Sequence, residues 1–194
     1  MSKEDKIIIL DFGSQYTQLI ARRVREVGVF SMILPCDSSV EKIQSLNPNG
    51  IILSGGPETV TEIGTPKINK ALFDTDIPLL GICYGMQTMA QELGGTVIQS
   101  DKREFGNATI NRINNSILFD KVNFENDKLD VWMSHGDKVS ILPSNFNPIA
   151  ESDNCPIAAF AHSDKEWFGL QFHPEVTHTN EGIKIIENFV YKIC

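Results

Sequence analysis

The sequence predicts an α/β fold: a wound, mostly parallel central sheet with helices on both faces, plus a small antiparallel β layer. Three observations carry this expectation. Up to residue 95, short unbroken apolar runs alternate with helical patterns. From 96 to about 173 the pattern changes to short β-like segments separated by turn residues, which read as additions to the sheet plus a smaller antiparallel layer, and a helical stretch then closes the chain. The apolar runs of the first half are continuous rather than alternating, as expected of parallel strands covered on both faces.

Lys6 to Asp11 is the first such run, and Phe12-Gly13-Ser14 turns the chain. Gln15 to Val27 places Leu19, Ile20, Val24 and Val27 on one stripe and stops at Gly28, which predicts a helix. Phe30 to Leu34 predicts a second strand and Val40 to Leu46 a short helix. The turn Pro48-Asn49-Gly50 leads to a third strand, Ile51 to Leu53. Ser54-Gly55-Gly56-Pro57 follows at that strand's C-terminal end. Pro66 to Asp74 predicts a further helix, and Leu79 to Ile82 a buried strand. The later β-like segments are 96–100, 107–113, 129–133, 138–142, 156–161 and 167–173, with turns at Asn114-Asn115, Asn123 to Asp127 and Ser144 to Pro148. Glu181 to Tyr191 predicts the closing helix.

A chain of 194 residues suits one α/β domain spanning 1–194. The net charge of −8 argues against a nucleic-acid-binding surface as the main function. No apolar run approaches the ~20 residues of a membrane span. The polar Met-Ser-Lys-Glu-Asp-Lys start carries no signal-peptide pattern. Four cysteines, at 36, 83, 155 and 194, lack the paired spacing of a disulfide framework or a four-Cys zinc site. A reducing compartment, the cytoplasm, is the corresponding expectation.

Chemistry concentrates at Pro78 to Leu93. A strand ends at Ile82, a helix with Met86, Met89, Ala90 and Leu93 at i, i+3, i+4, i+7 follows, and Cys83 sits at the joint between Gly81 and Gly85. A nucleophile on a sharp strand-to-helix turn needs neighbours without a Cβ, and the helix start aims N–H groups and a positive dipole end at the sulfur. A lone cysteine is often a small buried residue, but the flanking glycines and the turn favour a catalytic role. A cysteine nucleophile also needs a base, an orienting group and an oxyanion site. Among the four histidines, His173 ends an apolar strand and precedes Pro174-Glu175. In extended chain, residues i and i+2 project together, so Glu175 would orient the His173 imidazole. Main-chain N–H groups of Tyr84 and of the Gly55-Gly56 turn, notably Gly56, are candidates for the oxyanion site. Ser-Gly-Gly-Pro is not a phosphate-binding P-loop, whose G-x-x-x-x-G-K-[ST] pattern is absent.

Gly81-Ile82-Cys83-Tyr84-Gly85-Met86-Gln87, with His173-Pro174-Glu175 further on, resembles the triad (class I) glutamine amidotransferases. Asp11 to Tyr16, Leu53 to Glu58, Arg103-Glu104-Phe105-Gly106, Asp130 to Asp137 and Gln171 to Thr179 are similar to the branch of that family found in GMP synthases. The likeness extends from about residue 6 to 194. It implies a flavodoxin-like fold and a glutaminase. Cys83 would attack the glutamine amide carbon, Gly56 and Tyr84 would hold the oxyanion, and His173 with Glu175 would move the protons through a γ-glutamyl thioester. Gln87, Ser134, His135, Gly136 and Asp137 would border the glutamine pocket. A tight β-turn over Ser134–Asp137 is the plainer alternative, and Gln87 could be a solvated first-turn residue.

The resemblance further implies L-glutamine as substrate and an ATP-pyrophosphatase (synthetase) partner that aminates XMP to GMP. No cofactor or metal is implied in this stretch, ATP and Mg²⁺ belonging to the synthetase; the synthetase and dimerisation domains of the full enzyme have no counterpart here. A catalytically idle or regulatory module of the same fold, a glutaminase serving another synthase, and a γ-glutamyl peptidase are the competing readings. Intact Cys83, His173 and Glu175 argue against the first, and Gln87 with Ser134–Asp137 against the last. Arg103, Glu104 and His178 carry no assigned role.

Overall fold

The computed structural model describes residues 5–194, with only the backbone at 101 and 102; the expectation of no leader, which rests on the first residues, lies partly outside them. Nine strands among the described residues form a single sheet in the order β2-β1-β3-β4-β9-β8-β7-β5-β6. The parallel part comprises β1 (Lys6–Asp11), β2 (Phe30–Pro35), β3 (Gly50–Leu53), β4 (Leu79–Ile82) and β9 (Trp167–Leu170). The antiparallel part comprises β8 (Ala159–His162), β7 (Phe146–Ser152), β5 (Thr96–Arg112) and β6 (Lys128–Ile141).

Side-chain alternation along β1 sorts the core into two layers. Ile7 and Ile9 face α1 (Thr17–Glu26) and α4 (Gly182–Asn188). Ile8 and Leu10 face α2 (Val40–Ser45) and α3 (Tyr84–Glu92). All four isoleucine and leucine side chains are fully buried, each stabilising the fold by about 1.5–3 kcal/mol. Helices therefore cover both faces, as the unbroken apolar runs predict. No helix among the described residues is long and apolar enough to cross a membrane.

Several local expectations are corrected. The antiparallel strands do not form a separate layer; they extend the same hydrogen-bonded sheet. Pro66–Asp74 is not a helix: Asn69 takes an extended conformation and caps with its side chain the amide of Ala71, so only a 3-10 turn at Lys70–Asp74 forms. Segments 96–100 and 107–113 are one strand, as are 129–133 and 138–142, because residues 96–111 pair with 128–141 across a long ribbon. Ser134–Asp137 is consequently strand rather than a tight turn. The expected Ser144–Pro148 turn contains the start of β7, whose Pro148 sits opposite Phe160 beside an irregularity in the pairing. The closing helix ends its α-helical run at Asn188 and continues as a π turn to Ile193.

Two glycines fix the centre. A Cβ on Gly81 would lie 2.6 Å from the Met86 amide nitrogen, and one on Gly85 would strike the Leu53 carbonyl oxygen. Both obstacles are backbone, so neither can swing aside. We expect Gly85→Ala to lose about 3 kcal/mol or more of stability. Gly64→Ala, where a Cβ meets nothing within 4 Å but φ is +88, should lose about 1–2 kcal/mol. Urea-unfolding midpoints of the two variants check the ranking.

Candidate active site

Adjacent strands β3, β4 and β9 end on the same edge of the sheet, where α/β proteins place their functional crevice. Beyond β3 comes the Ser54-Gly55-Gly56 turn, beyond β4 comes Cys83, and beyond β9 come His173 and Glu175. Neighbouring strand ends thus deliver each part of the predicted constellation.

Cys83 has φ 51 and ψ −108, a conformation rarely adopted by a side-chain-bearing residue. Its amide donates to Leu170 O at 2.7 Å, and its carbonyl accepts from the Gln87 amide at 3.0 Å. Strand and helix therefore both hold the strained residue. The thiol lies 3.5 Å from Ser134 O, and the Cys83 side chain and the His173 ring both flank Gly55.

His173 Nδ1 lies 2.8 Å from Glu175 Oε1, with the imidazole 4% and the carboxylate 0% exposed. Burial disfavours the imidazolium, but the Glu175 carboxylate and the Cys83 side chain outweigh it and hold the His173 pKa well above its ordinary value. The segment is braced on several sides. The His173 amide donates to Trp132 O at 3.0 Å, and Thr179 Oγ1 donates to His173 O at 2.6 Å. Arg23 Nε donates to Glu175 O at 2.9 Å, while the Tyr16 ring meets the imidazole edge-on at 5.2 Å. Gly55 is needed for this approach, since a Cβ there would sit 3.2 Å from His173 Cε1.

Ser54 sets the oxyanion-side turn. Its Oγ accepts from the Phe12 amide at 3.0 Å and donates to Gly55 O at 2.8 Å. Gly56 packs so closely on Tyr84 that a Cβ would come within 3.1 Å of the ring. Tyr84 opens α3, where N–H groups have no intrahelical partner. Gly56, Cys83 and Tyr84 line a cleft of about 170 Å³, closed on its other sides by Gln87, Phe105 and Ser134–Asp137. Every sequence-predicted binding residue therefore borders the same space as Cys83. Gln87 is buried rather than solvated.

Sequence reasoning missed Gln171. Its Nε2 donates to Cys83 Sγ at 3.7 Å, and its Oε1 accepts from Gln87 Nε2 at 3.2 Å; Gln87 Nε2 also donates to Asp137 O at 2.8 Å. Gln171 follows the end of β9 directly, in the bend that leads to His173, where strand alternation gives no signal. His135 turns its ring away from the cleft, 1% exposed, so the cleft meets mainly its backbone. Burial pushes the His135 pKa below its ordinary value against the pull of Glu104. His178 stands apart, exposed and stacked on Trp132 at 4.6 Å. All four cysteines are unpaired, and among the described residues no cluster of three or more His, Cys, Asp and Glu is arranged to hold a metal ion.

Comparison with known proteins gives a consistent result. The family model of class-I glutamine amidotransferases matches residues 8–193. The glutamine-hydrolyzing GMP synthase of Alteromonas mediterranea is 54% identical over 196 residues, a match covering 98% of this chain and 37% of that protein. Its Vibrio cholerae counterpart is 52% identical over 191 residues, covering 98% and 36%. The chain thus spans little more than a third of the length of these relatives. Among solved structures, a candidate GMP synthase subunit from Thermoplasma acidophilum superposes with a TM-score of 0.87 at 31% identity, over 100% of this chain and 96% of that one. A Thermotoga maritima glutamine amidotransferase shares the fold, with a TM-score of 0.72 at 22% identity over 90% and 77%.

The raised His173 pKa has a definite consequence for stability. The protonated pair stabilises the fold fully below the ordinary imidazole value of 6.5, and that contribution is lost as pH rises through the raised folded-state value. Glu175→Gln removes the carboxylate responsible. The stability gap between wild type and Glu175→Gln should be widest at about pH 6 and narrow at higher pH. Urea unfolding across pH measures it, and a gap independent of pH contradicts the pairing.

Proposed function

The chain belongs to the class I glutamine amidotransferase family, and from that premise we propose that it hydrolyses L-glutamine to glutamate and ammonia, using Cys83, His173 and Glu175. One observation supports this most: a buried, strained Cys83 shares the Gly55 turn with an imidazole that is itself held by a buried carboxylate. In the proposed reaction the Cys83 thiol passes its proton to His173, and the resulting thiolate attacks the side-chain amide carbon. The resulting oxyanion is held by the Gly56 and Tyr84 N–H groups, each such donor being worth about 100–1000-fold in rate. His173, whose raised pKa keeps a proton at hand, protonates the leaving nitrogen, and ammonia departs from a γ-glutamyl thioester. A water molecule deprotonated by His173 then attacks the thioester carbon, releasing glutamate and returning the thiol.

The destination of the ammonia is a second part of the proposal. The named relatives are GMP synthases of which this chain matches about a third. A synthetase unit, an ATP-pyrophosphatase that activates XMP with ATP and Mg²⁺, would receive the ammonia and form GMP. The glutaminase chemistry itself requires no cofactor. Four unpaired thiols suit the reducing cytoplasm.

Incubation with 6-diazo-5-oxonorleucine followed by mass spectrometry tests the nucleophile: the adduct should map to Cys83. An adduct at Cys36 or Cys155 instead, or none even with the synthetase partner present, would sink the mechanism. Glu175→Ala should fold yet lose at least about 10-fold in glutamine turnover, because the imidazole loses its orienting group. Unchanged turnover would remove Glu175 from the mechanism.

A further inference from the structure

We propose that Glu104 and His135 form a positioning pair, sharing one proton, that fixes the Asp137 carbonyl and through it the wall of the glutamine cleft. The inference rests on the glutaminase reading and assigns a role to Glu104, which that reading leaves without one.

Pairing along the β5–β6 ribbon makes the contact. Gln99 sits opposite Asp137 and Glu104 opposite His135, so β5 takes five steps where β6 takes two. Such a bulge re-aims side chains. Here it accompanies Glu104 Oε2 placed 3.1 Å from His135 Nε2. The other carboxylate oxygen accepts from Ser152 Oγ at 3.4 Å and Asn154 Nδ2 at 3.3 Å. The carboxylate is therefore anchored on two sides.

Hydrogen-bond inventory then requires the extra proton. His135 Nδ1 lies 3.0 Å from the Asp137 carbonyl oxygen, which can only accept, so Nδ1 carries hydrogen. A neutral ring protonated there presents a lone pair at Nε2, and an ionised Glu104 offers another. Two acceptors do not bond, so one proton must lie between Nε2 and Oε2. Burial opposes a free imidazolium at His135, and the proton accordingly belongs to the pair jointly. Other titratable or charged groups around it are Arg103, whose side chain lies against Gly136, Asp137 and Lys138 on β6, the buried Cys155 thiol, and His173.

Asp137 O also accepts from Gln87 Nε2 at 2.8 Å. Both lone pairs of this oxygen are thus filled from inside the protein. The same Gln87 reaches Gln171, which reaches Cys83 Sγ. Hydrogen bonds therefore run from Glu104 to the nucleophile through the wall that would hold glutamine. Losing the shared proton at high pH sets a lone pair against a carboxylate and loosens that wall.

The experiment uses the diazo-ketone inactivator above, with its KI measured against pH, together with ¹⁵N-histidine spectra of the chain. In wild type, KI should rise with pH and the His135 Nε2 shift should follow it. Glu104→Gln supplies an amide donor to a neutral Nε2, so its KI should be flat with pH and its Nε2 shift constant. Glu104→Ala should raise KI roughly 10-fold with the inactivation rate constant little changed, the effect of losing one charge-assisted bond. A wild-type pH dependence retained in Glu104→Gln overturns the proposal. So does a KI within about twofold of wild type in a folded Glu104→Ala. A wild-type chain that is not labelled overturns the glutaminase reading and the cleft's role with it. A His135 spectrum showing no shared proton overturns the pair alone.

Discussion

Cys83 is held at positive φ by backbone on every side, and the rest of the site follows from how tightly that joint is closed. The Leu53 carbonyl leaves no room for a side chain on Gly85, and the Met86 amide leaves none on Gly81. Strain of about 1–3 kcal/mol at such a residue persists only where its surroundings over-determine it. Here the surroundings are β3, β9 and the first turn of α3 together. Because the joint is closed against β3, the Gly55-Gly56 turn beyond that strand is brought to the sulfur. Because the Cys83 amide bonds to Leu170, the segment after β9 is brought there as well.

Electrostatics complete what the backbone begins. A buried carboxylate beside a buried imidazole is costly to assemble, and removing one partner of such a pair costs about 3–5 kcal/mol. The brace of Arg23, Thr179 and Trp132 on the His173–Glu175 segment keeps the two side chains in register. The sulfur has a further neighbour in Gln171, through which it is tied to Gln87 and the β6 wall. Cys83 and the cleft wall are therefore parts of a single polar network.

Legibility in the sequence divides along the range of the interactions. Cys83 between two glycines, and His173 with Glu175 two residues on, are local patterns, although β9 ends at Leu170 and the second pair meets across a turn rather than along extended chain as expected. The buried parallel strands are local too, since each shows as an unbroken apolar run. Glu104 was not legible, because its partner His135 lies 31 residues away and is set opposite it only by a pairing register that shifts across a bulge. The long β5–β6 ribbon was hidden for a related reason. Its middle is polar, with Arg103-Glu104 and Ser134–Asp137 engaged across strands rather than in turns. Asn69 misled in the opposite direction: it lies in a helical pattern yet halts the helix by capping a 3-10 turn.

The sheet order separates two tasks on the chain. The ends of β3, β4 and β9, neighbours in the parallel part, carry Gly56, Cys83, His173 and Glu175, while the opposite wall of the cleft comes from the ribbon at the far antiparallel edge. Substitutions in the ribbon are therefore felt at Cys83, through Asp137, Gln87 and Gln171, and at His173, through Trp132. For an evolving lineage, or for an engineer, the wall and the strand ends lie on different stretches of one polypeptide but have to change together.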